Sequence, residues 1–258
     1  IFPYQPLRYD RDELYINSTY HDANNLFPEN VLYDKRAMMR GNQIIMLDIV
    51  PFTYDINSKQ LMVYDEIEIT IEEVGDRDNA TIISKKSKTF QNMYENMILG
   101  SFDDREIDFQ QPSILYICGG SSLDYDYLDL LVEWREKQGY EVTTIDLTGI
   151  GGGSTSYIEN YIEDAYYNWE NPPEHITLIG DASGSLFVPA YTVGSGGGWS
   201  GASAESDLPY VLIEGDDLLA DIFIGRMSVR SENEFNIVAN KILGYEKLYS
   251  GSDWIESV

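Results

Sequence analysis

Hydrophobic positions change their rhythm near residue 110, and the change predicts two kinds of structure. Before it, Leu61–Tyr64 and Glu66–Glu72 alternate apolar with polar residues, which is typical of an antiparallel sheet exposed to water on one face. Gln43–Val50 reads as a further strand. We therefore predict a small antiparallel β-domain and a linker over residues 1–110, with a short helix near Met93–Leu99.

From Pro112 onward, continuous apolar runs alternate with residues at helical spacing. A run without polar alternation indicates a strand buried on both faces, and crossovers of helix length predict parallel strands. The sequence predicts an α/β domain over residues 111–258 with a mainly parallel sheet. Its strands and helices are expected at Ser113–Cys118, Tyr127–Gln138, Tyr140–Asp146, Tyr157–Trp169, His175–Ile179, Asp221–Gly225 and Glu232–Tyr249.

The charge balance narrows the range of partners. The chain has 44 Asp and Glu residues against 17 Lys and Arg, a formal net charge of −27. Nucleic acids and anionic membranes need a positive face, so neither is expected as a partner. Cations, basic peptides and calcium remain, as does the simpler interpretation that the charge keeps the protein soluble in a salty or extracellular setting. No segment has the apolar length of a membrane span, and an export signal would already have been removed.

The residue types of nucleophilic catalysis are scarce. The single cysteine, Cys118, lies inside an apolar strand, where we expect a small buried hydrophobic side chain and not a nucleophile. His21 and His175 have no partner at the spacing of a metal site or a catalytic triad, so structural or solvent-facing roles are favoured. Because there is only one cysteine, an internal disulfide framework is excluded.

Acidic residues gather in loops that we expect at one edge of the sheet. Clustered carboxylates repel one another unless a cation or a basic group screens them, and calcium binds six to eight oxygen ligands of this kind. The alternative is that they are solvated loop charges or caps of helices and turns. The predicted calcium ligands are Asp181, Asp207, Asp216, Asp217 and Asp221, with Glu214 among the same loops.

An ordered series of motifs resembles the first part of the catalytic domain of the gingipain-type cysteine peptidases, over roughly residues 112–254. The motifs are Trp134–Val142, Leu178–Asp181, Ser206–Asp207, Asp221–Arg226 and Lys241–Glu246. Arg40-Gly41, ahead of a strand that ends at Pro51, is similar to the pro-region that precedes these domains. The resemblance implies a caspase-like α/β/α sandwich, bacterial secretion or a cell-surface location, bound calcium, and cleavage after basic residues in the best-known members.

The family's catalytic pair, a His in a Gly-His-Gly context and a later Cys, has no match in these 258 residues. No catalytic residue is therefore assigned. We expect a pro-region followed by the first catalytic subdomain, with the His/Cys dyad beyond Val258 and this chain inactive alone. The second catalytic subdomain of the same protein, and protein or peptide substrates through it, are then the expected partners.

Two other interpretations remain open. A non-catalytic acidic surface or assembly module could keep the fold and act by binding, with its 20 tyrosines as contact residues. Alternatively, the pro-region inhibits a peptidase specific for basic residues, with Arg40 in the specificity pocket. Arg226 is expected to pin a strand end through a carboxylate and not to touch substrate.

Overall fold

Two compact units make up the chain in this computed structural model, which describes residues 26–28, 30, 32–55, 57–71, 86–99, 108–193 and 204–247. The first unit contains Ile1–Ala37 and Gln43–Ala80. The second contains Met38–Asn42 and Thr81–Val258. A five-residue segment from the first half of the sequence is thus part of the second unit.

The first unit is built from antiparallel β-structure, as predicted. Its three-stranded sheet has the order β1-β4-β5, formed by Leu26–Phe27, Phe52–Asp55 and Gln60–Val63. Strands β2 (Leu32–Met39) and β3 (Asn42–Ile49) pair in a separate two-stranded sheet. The turn between them, with the ends of both strands, is the segment assigned to the second unit.

Two details of the first unit differ from the sequence prediction. The predicted strand at Glu66–Glu72 is wrong over its described part, because residues 66–71 pair with no strand among the described residues. Among the described residues, backbone pairing in this region ends at Tyr64, whose amide donates to Pro51 O at 2.9 Å. Strand β2 was not predicted, because its charged residues have weak β-propensity and its pairing with β3 decides its conformation.

A four-stranded parallel sheet forms the centre of the second unit, in the order β11-β8-β6-β7. The strands are β6 (Ser113–Cys118), β7 (Glu141–Asp146), β8 (His175–Ile179) and β11 (Phe223–Met227). A short antiparallel pair, β9 (Tyr191–Val193) and β10 (Ala204–Ser206), lies outside this sheet. The predicted α/β class with a parallel sheet is confirmed.

Helices cover both faces of the sheet, which makes the unit a three-layer sandwich. They are α1 (Lys88–Met97), α2 (Asp126–Lys137), α3 (Leu147–Ile150), α4 (Thr155–Asn168) and α5 (Glu232–Glu246). Strand β6 shows the layering, since its six residues are all buried and the five from Ile114 to Cys118 alternate between two hydrophobic clusters. Tyr116 packs with α2 and α5 on one face, and Ile117 packs with α4 on the other.

Local sequence explains where several helices begin. Ser87 caps α1 by accepting a hydrogen bond from the amide of Phe90 at 3.1 Å, so this helix begins before the predicted Met93. Ser231 caps α5 in the same way, through the amide of Glu234. Among the described residues, no helix has both the length and the apolar character needed to cross a lipid bilayer.

Candidate functional site

The carboxyl ends of parallel strands are the edge at which open α/β sheets usually bind ligands. Here the backbone around Leu186 packs closely against the glycines that end two of these strands. Gly180 follows β8 with a φ of 138°, and a Cβ atom there would lie 1.9 Å from the carbonyl oxygen of Leu186. Gly119 follows β6 and meets the same segment, because its Cβ position is 2.5 Å from that oxygen. Only glycine fits at either position, so the segment after β8 closes over the strand ends.

Arg226 on β11 binds the segment between β8 and β11 at this edge. Its guanidinium forms a two-pronged ion pair with Asp207, with Nε–Oδ2 at 2.8 Å and Nη2–Oδ1 at 2.6 Å. The same group donates to the carbonyl oxygens of Gly180, Val188 and Pro189 at 2.8–3.1 Å. The structure therefore gives Arg226 the pinning role expected from the sequence.

Asp181, at the tip of β8, forms a more exposed pair at the same edge. Its carboxylate accepts hydrogen bonds from Nε of Arg230, from Ser228 Oγ at 2.9 Å and from the Ala182 amide at 2.9 Å. The bond from Arg230, followed by that from Ser228, holds the pKa of Asp181 below its usual value. This carboxylate is already satisfied by donors from the chain.

A different cluster lies at the amino ends of the same strands, around the tip of the β2–β3 hairpin. Arg40 and Gly41 form the two-residue turn, with φ values of 43° and 75°. Positive φ at both positions defines a type I′ turn, in which Asn, Asp or Gly is favoured at the first position. An arginine there is uncommon because its Cβ disfavours this backbone conformation by roughly 1–2 kcal/mol. Its side chain is 5% exposed, so the strain accompanies burial.

The Arg40 guanidinium binds main-chain carbonyls that precede two strands of the sheet. Nη1 donates to Pro173 O at 3.1 Å and to Asp221 O at 2.9 Å. Nη2 donates to Pro172 O at 3.3 Å and to Gln110 Oε1 at 3.1 Å. Burial lowers the pKa of Arg40, yet a guanidinium stays protonated in proteins.

The same guanidinium also lies over two aromatic rings. Its central carbon lies 4.9 Å from the ring centroid of Phe90 and 5.7 Å from that of Tyr166. Phe90 in turn packs against Phe223, with ring centroids 4.6 Å apart. Tyr94, one turn later on α1, donates its hydroxyl to Met39 O at 2.8 Å, and burial raises its pKa to about 12. Helix α1 therefore holds the turn from one side.

Three carboxylates from the loop before β11 bind the backbone of the turn, all through amide hydrogens. The Arg40 amide donates to Asp221 Oδ1 at 2.6 Å, the Gly41 amide to Glu214 Oε2 at 2.6 Å, and the Met38 amide to Asp217 Oδ2 at 2.7 Å. Charge-assisted hydrogen bonds of this kind are stronger than neutral ones. The acidic loop, defined here as Ile213–Asp221, therefore binds the main chain of the turn, and these bonds do not depend on the side chains of the turn residues.

Asp221 is the centre of this arrangement. It is fully buried, and its second oxygen accepts from the amides of Ile213 and Glu214 at 2.9 Å and 2.8 Å. Burial raises the pKa of Asp221, and the amide donors, with Arg40 the largest of them, act in the opposite direction. The aspartate thus orders its own loop while binding the turn.

The five predicted calcium ligands are divided between the two edges of the sheet. Asp181 and Asp207 lie at the carboxyl ends of the strands, Asp207 through its pair with Arg226, whereas Asp217 and Asp221 precede β11. Because β11 runs parallel to β8, the acidic loop that precedes β11 lies at the amino ends of the strands. The prediction that all five carboxylates share one edge was therefore wrong. Asp216 is exposed beside them.

As placed, these five carboxylates do not form a common ligand set. Within the part of the chain that the structure describes, no group of three or more His, Cys, Asp or Glu side chains is arranged to hold a metal ion. Calcium binding by these residues stays a prediction. A melting temperature that rises with added calcium would support it.

Cys118 and His175 occupy structural positions. Cys118 is fully buried at the end of β6, and burial raises the pKa of its thiol to about 12. His175 begins β8 opposite Ile114, four residues from the Cys118 register position, or roughly 13 Å along the strands. It stacks on Phe223 and burial lowers its pKa. The two do not form a dyad, and His21 lies outside the described residues.

Sequence reasoning found the acidic residues but not the group that they bind. One of the alternatives put Arg40 in a specificity pocket, whereas its side chain is buried against Phe90 and Tyr166 in its own chain. The available signal was Arg40-Gly41 itself, because an arginine between two strands at a position that requires positive φ is a poor turn residue. Such a residue indicates that its side chain is needed there.

Two family models together match most of the chain. Residues 107–258 match the model of peptidase family C25, and residues 5–104 match the model of the C25 propeptide. Gingipain R1 of Porphyromonas gingivalis is 22% identical over 93% of this chain and 24% of its own length. Lys-gingipain of the same bacterium is 24% identical over 96% of this chain and 14% of its own length. The chain therefore spans about a quarter or less of these relatives.

Solved structures of the same group are also similar. The crystal structure of the Arg-specific cysteine proteinase gingipain R covers 52% of this chain and 28% of that chain, at 21% identity and a TM-score of 0.43. The complex of Porphyromonas gingivalis RgpB pro- and mature domains covers 51% of this chain and 28% of that chain, at 20% identity and a TM-score of 0.43. The family match covers more than half of the sequence, and this chain belongs to peptidase family C25, with a C25 propeptide ahead of part of the peptidase domain.

Proposed function

We propose that this chain is the N-terminal portion of a secreted gingipain-like cysteine endopeptidase and that these 258 residues do not hydrolyse peptides alone. The observation that carries the proposal is the order of the two family matches, with propeptide at residues 5–104 and peptidase at 107–258. The catalytic His/Cys dyad would lie beyond Val258, in a second catalytic subdomain that packs with this one. Protein or peptide substrates would bind through that subdomain.

The state of Cys118 supports the inactivity of the chain alone. A catalytic cysteine needs a stabilised thiolate near a base, whereas this thiol is buried and its pKa is raised to about 12. His175 begins a strand whose other end lies beside Cys118. We expect native Cys118 to resist Ellman's reagent and to react fully after unfolding in guanidinium. Fast reaction of the native thiol would contradict its structural role.

Peptidase activity of the longer gene product tests the proposal. Two proteins are compared on peptide substrates with Arg, Lys and uncharged residues before the scissile bond: this chain, and the chain extended by the natural sequence after Val258. We expect hydrolysis by the extended protein, blocked by iodoacetamide, and none by the 258 residues. An extended protein with no activity after removal of its propeptide would favour the non-catalytic binding module.

Two observations support secretion. The relatives named above are bacterial, and the net charge of −27 suits a protein that stays soluble outside the cell. Fractionation of the producing cells, with the gene product detected by an antibody, tests it. Recovery of the mature peptidase only from cytoplasm would contradict it.

A further inference from the structure

The contacts of the Arg40 turn join the two parts of the chain that the family models separate. Met38–Asn42 falls in the propeptide-matched part, defined as residues 5–104, while its partners from Pro172 to Asp221 fall in the peptidase-matched part, residues 107–258. All of these residues belong to the second unit. The contacts are therefore internal to one compact body, although its segments come from two family domains.

We propose that the Arg40 turn is the latch that keeps the propeptide-matched part bound to the peptidase-matched part, with the acidic loop Ile213–Asp221 and the Pro172-Pro173 carbonyls as its receptor. The inference rests on the proposed function, because it gives residues 5–104 the role of a propeptide. It adds the residues that hold this propeptide and the chemistry that they use.

The charged side chains of the latch bind uncharged groups and do not pair with each other. The cationic side chain binds carbonyl oxygens and an amide oxygen, and the anionic side chains bind amide hydrogens. The planar guanidinium makes four hydrogen bonds and lies over two aromatic rings, a combination that an ammonium group cannot reproduce. Arg40→Lys is therefore expected to weaken the latch nearly as much as removal of the side chain.

The backbone of the turn supplies independent support. Asn would relieve the positive φ of residue 40 and stabilise the hairpin locally. The chain instead has an arginine, whose buried side chain is the element that compensates for the strained backbone. Arg40→Asn thus separates the two effects, since it improves the turn and removes the side-chain contacts of the latch, while the amide bonds to the acidic loop remain.

Other propeptide-matched residues in this unit also contact the peptidase-matched part. The Lys86 backbone is hydrogen-bonded to Asp108 O at 3.0 Å and to the Gln110 amide at 2.9 Å, and Thr89 Oγ1 donates to Glu174 at 3.4 Å. Helix α1 packs Phe90 against Phe223 and reaches the turn through Tyr94. Because Phe90 also stacks on the guanidinium, loss of Arg40 uncovers one face of this ring. We therefore expect loss of the Arg40 side chain to weaken the packing of α1 as well as the turn.

The test uses the full chain with a site-specific protease sequence inserted after Leu99. After cleavage, the two fragments are passed over a gel-filtration column at falling concentrations, and their dissociation constant is measured by surface plasmon resonance. We expect the wild-type fragments to coelute. Arg40→Asn and Arg40→Lys should each raise the dissociation constant at least about tenfold, because the Asn variant loses all four guanidinium hydrogen bonds and the Lys variant cannot re-form them all. Arg36→Ala, an exposed arginine on the same strand, is the matched control and should change nothing.

A second pair of variants guards against misfolding of the Arg40 variants. Asp217→Ala removes the acceptor for the Met38 amide from a partly exposed position, and the neighbouring Asp216→Ala is its control. Asp217→Ala should raise the dissociation constant of the two fragments measurably, and Asp216→Ala should leave it unchanged. Wild-type affinity in Arg40→Asn, or equal effects of the two aspartate variants, would overturn the latch. This readout needs no peptidase activity, so it fails or succeeds separately from the proposed function.

Discussion

The two ends of the parallel sheet use polar groups in opposite ways. At the carboxyl ends, the Arg226–Asp207 pair is partly exposed, with side-chain exposures of 12% and 19%, and Asp181 meets an Arg230 that is 66% exposed. At the amino ends, Arg40 and Asp221 are buried and bind backbone groups. An exposed pair can exchange its partner for water, but a buried group that loses its partner cannot. The amino end should therefore be the more sensitive to substitution.

Asp221→Ala tests that difference most strongly. Removal of this carboxylate leaves the amides of Arg40, Ile213 and Glu214 without their acceptor in a buried position. We expect the free energy of unfolding of the second unit to fall by about 3 kcal/mol or more. Urea denaturation followed by tryptophan fluorescence measures it. Asp216→Ala, five residues earlier and exposed, is the control and should leave the midpoint unchanged. Equal midpoints for both variants would remove the contrast between the two ends.

Arg226 provides the intermediate case at the carboxyl end. Arg226→Ala breaks the ion pair with Asp207 and three bonds to carbonyl oxygens, and should lower the free energy of unfolding by about 2 kcal/mol. Arg226→Lys should recover less than half of that loss, because an ammonium cannot form the two-pronged pair. The same denaturation experiment measures both variants. A lysine variant as stable as the wild type would show that charge alone is sufficient.

The contribution of His175, at the amino end of β8, to stability should depend on pH. Burial lowers its pKa below 6.5, so near pH 6 the unfolded chain binds more protons than the folded one. The contribution of His175 to stability is therefore complete above pH 6.5 and is lost as the pH falls through its folded pKa. The difference in melting temperature between wild type and His175→Gln should shrink from pH 7.5 to pH 5. A difference that grows on acidification would contradict burial as the cause.

The exposed pair at the tip of β8 should give the smallest effect. Arg230→Ala removes the partner of Asp181, but Ser228 Oγ and the Ala182 amide still donate to its carboxylate. Water replaces the guanidinium readily at such a site. We expect an unchanged melting temperature by differential scanning fluorimetry. A shift comparable to that of Arg226→Ala would mean that exposure does not decide the ranking.

Much of the second unit could be predicted from the sequence because its signals are local. The apolar run Ser113–Cys118 needs burial on both faces, and β6 has those bounds. The stripe beginning at Leu128 fixes the buried face of α2. The predicted bounds of β11 began two residues too early. Asp221 binds the acidic loop and Ile222 packs in the core, so pairing with β8 begins only at Phe223. The predicted strand at Glu66–Glu72 shows the limit of alternation, since a strand also requires a partner.

The sequence by itself determined the α/β class, the buried cysteine and the acidic loops, because apolar periodicity and charge are properties of neighbouring residues. Tertiary structure alone decided that these carboxylates divide between two edges of the sheet, since strand direction fixes where each loop returns. It also decided that Arg40, more than 130 residues from Pro173 and Asp221, lies in their cluster. A hydrogen bond across that separation leaves no local pattern in the sequence, because its cost and its gain arise only when the chain brings the two segments together.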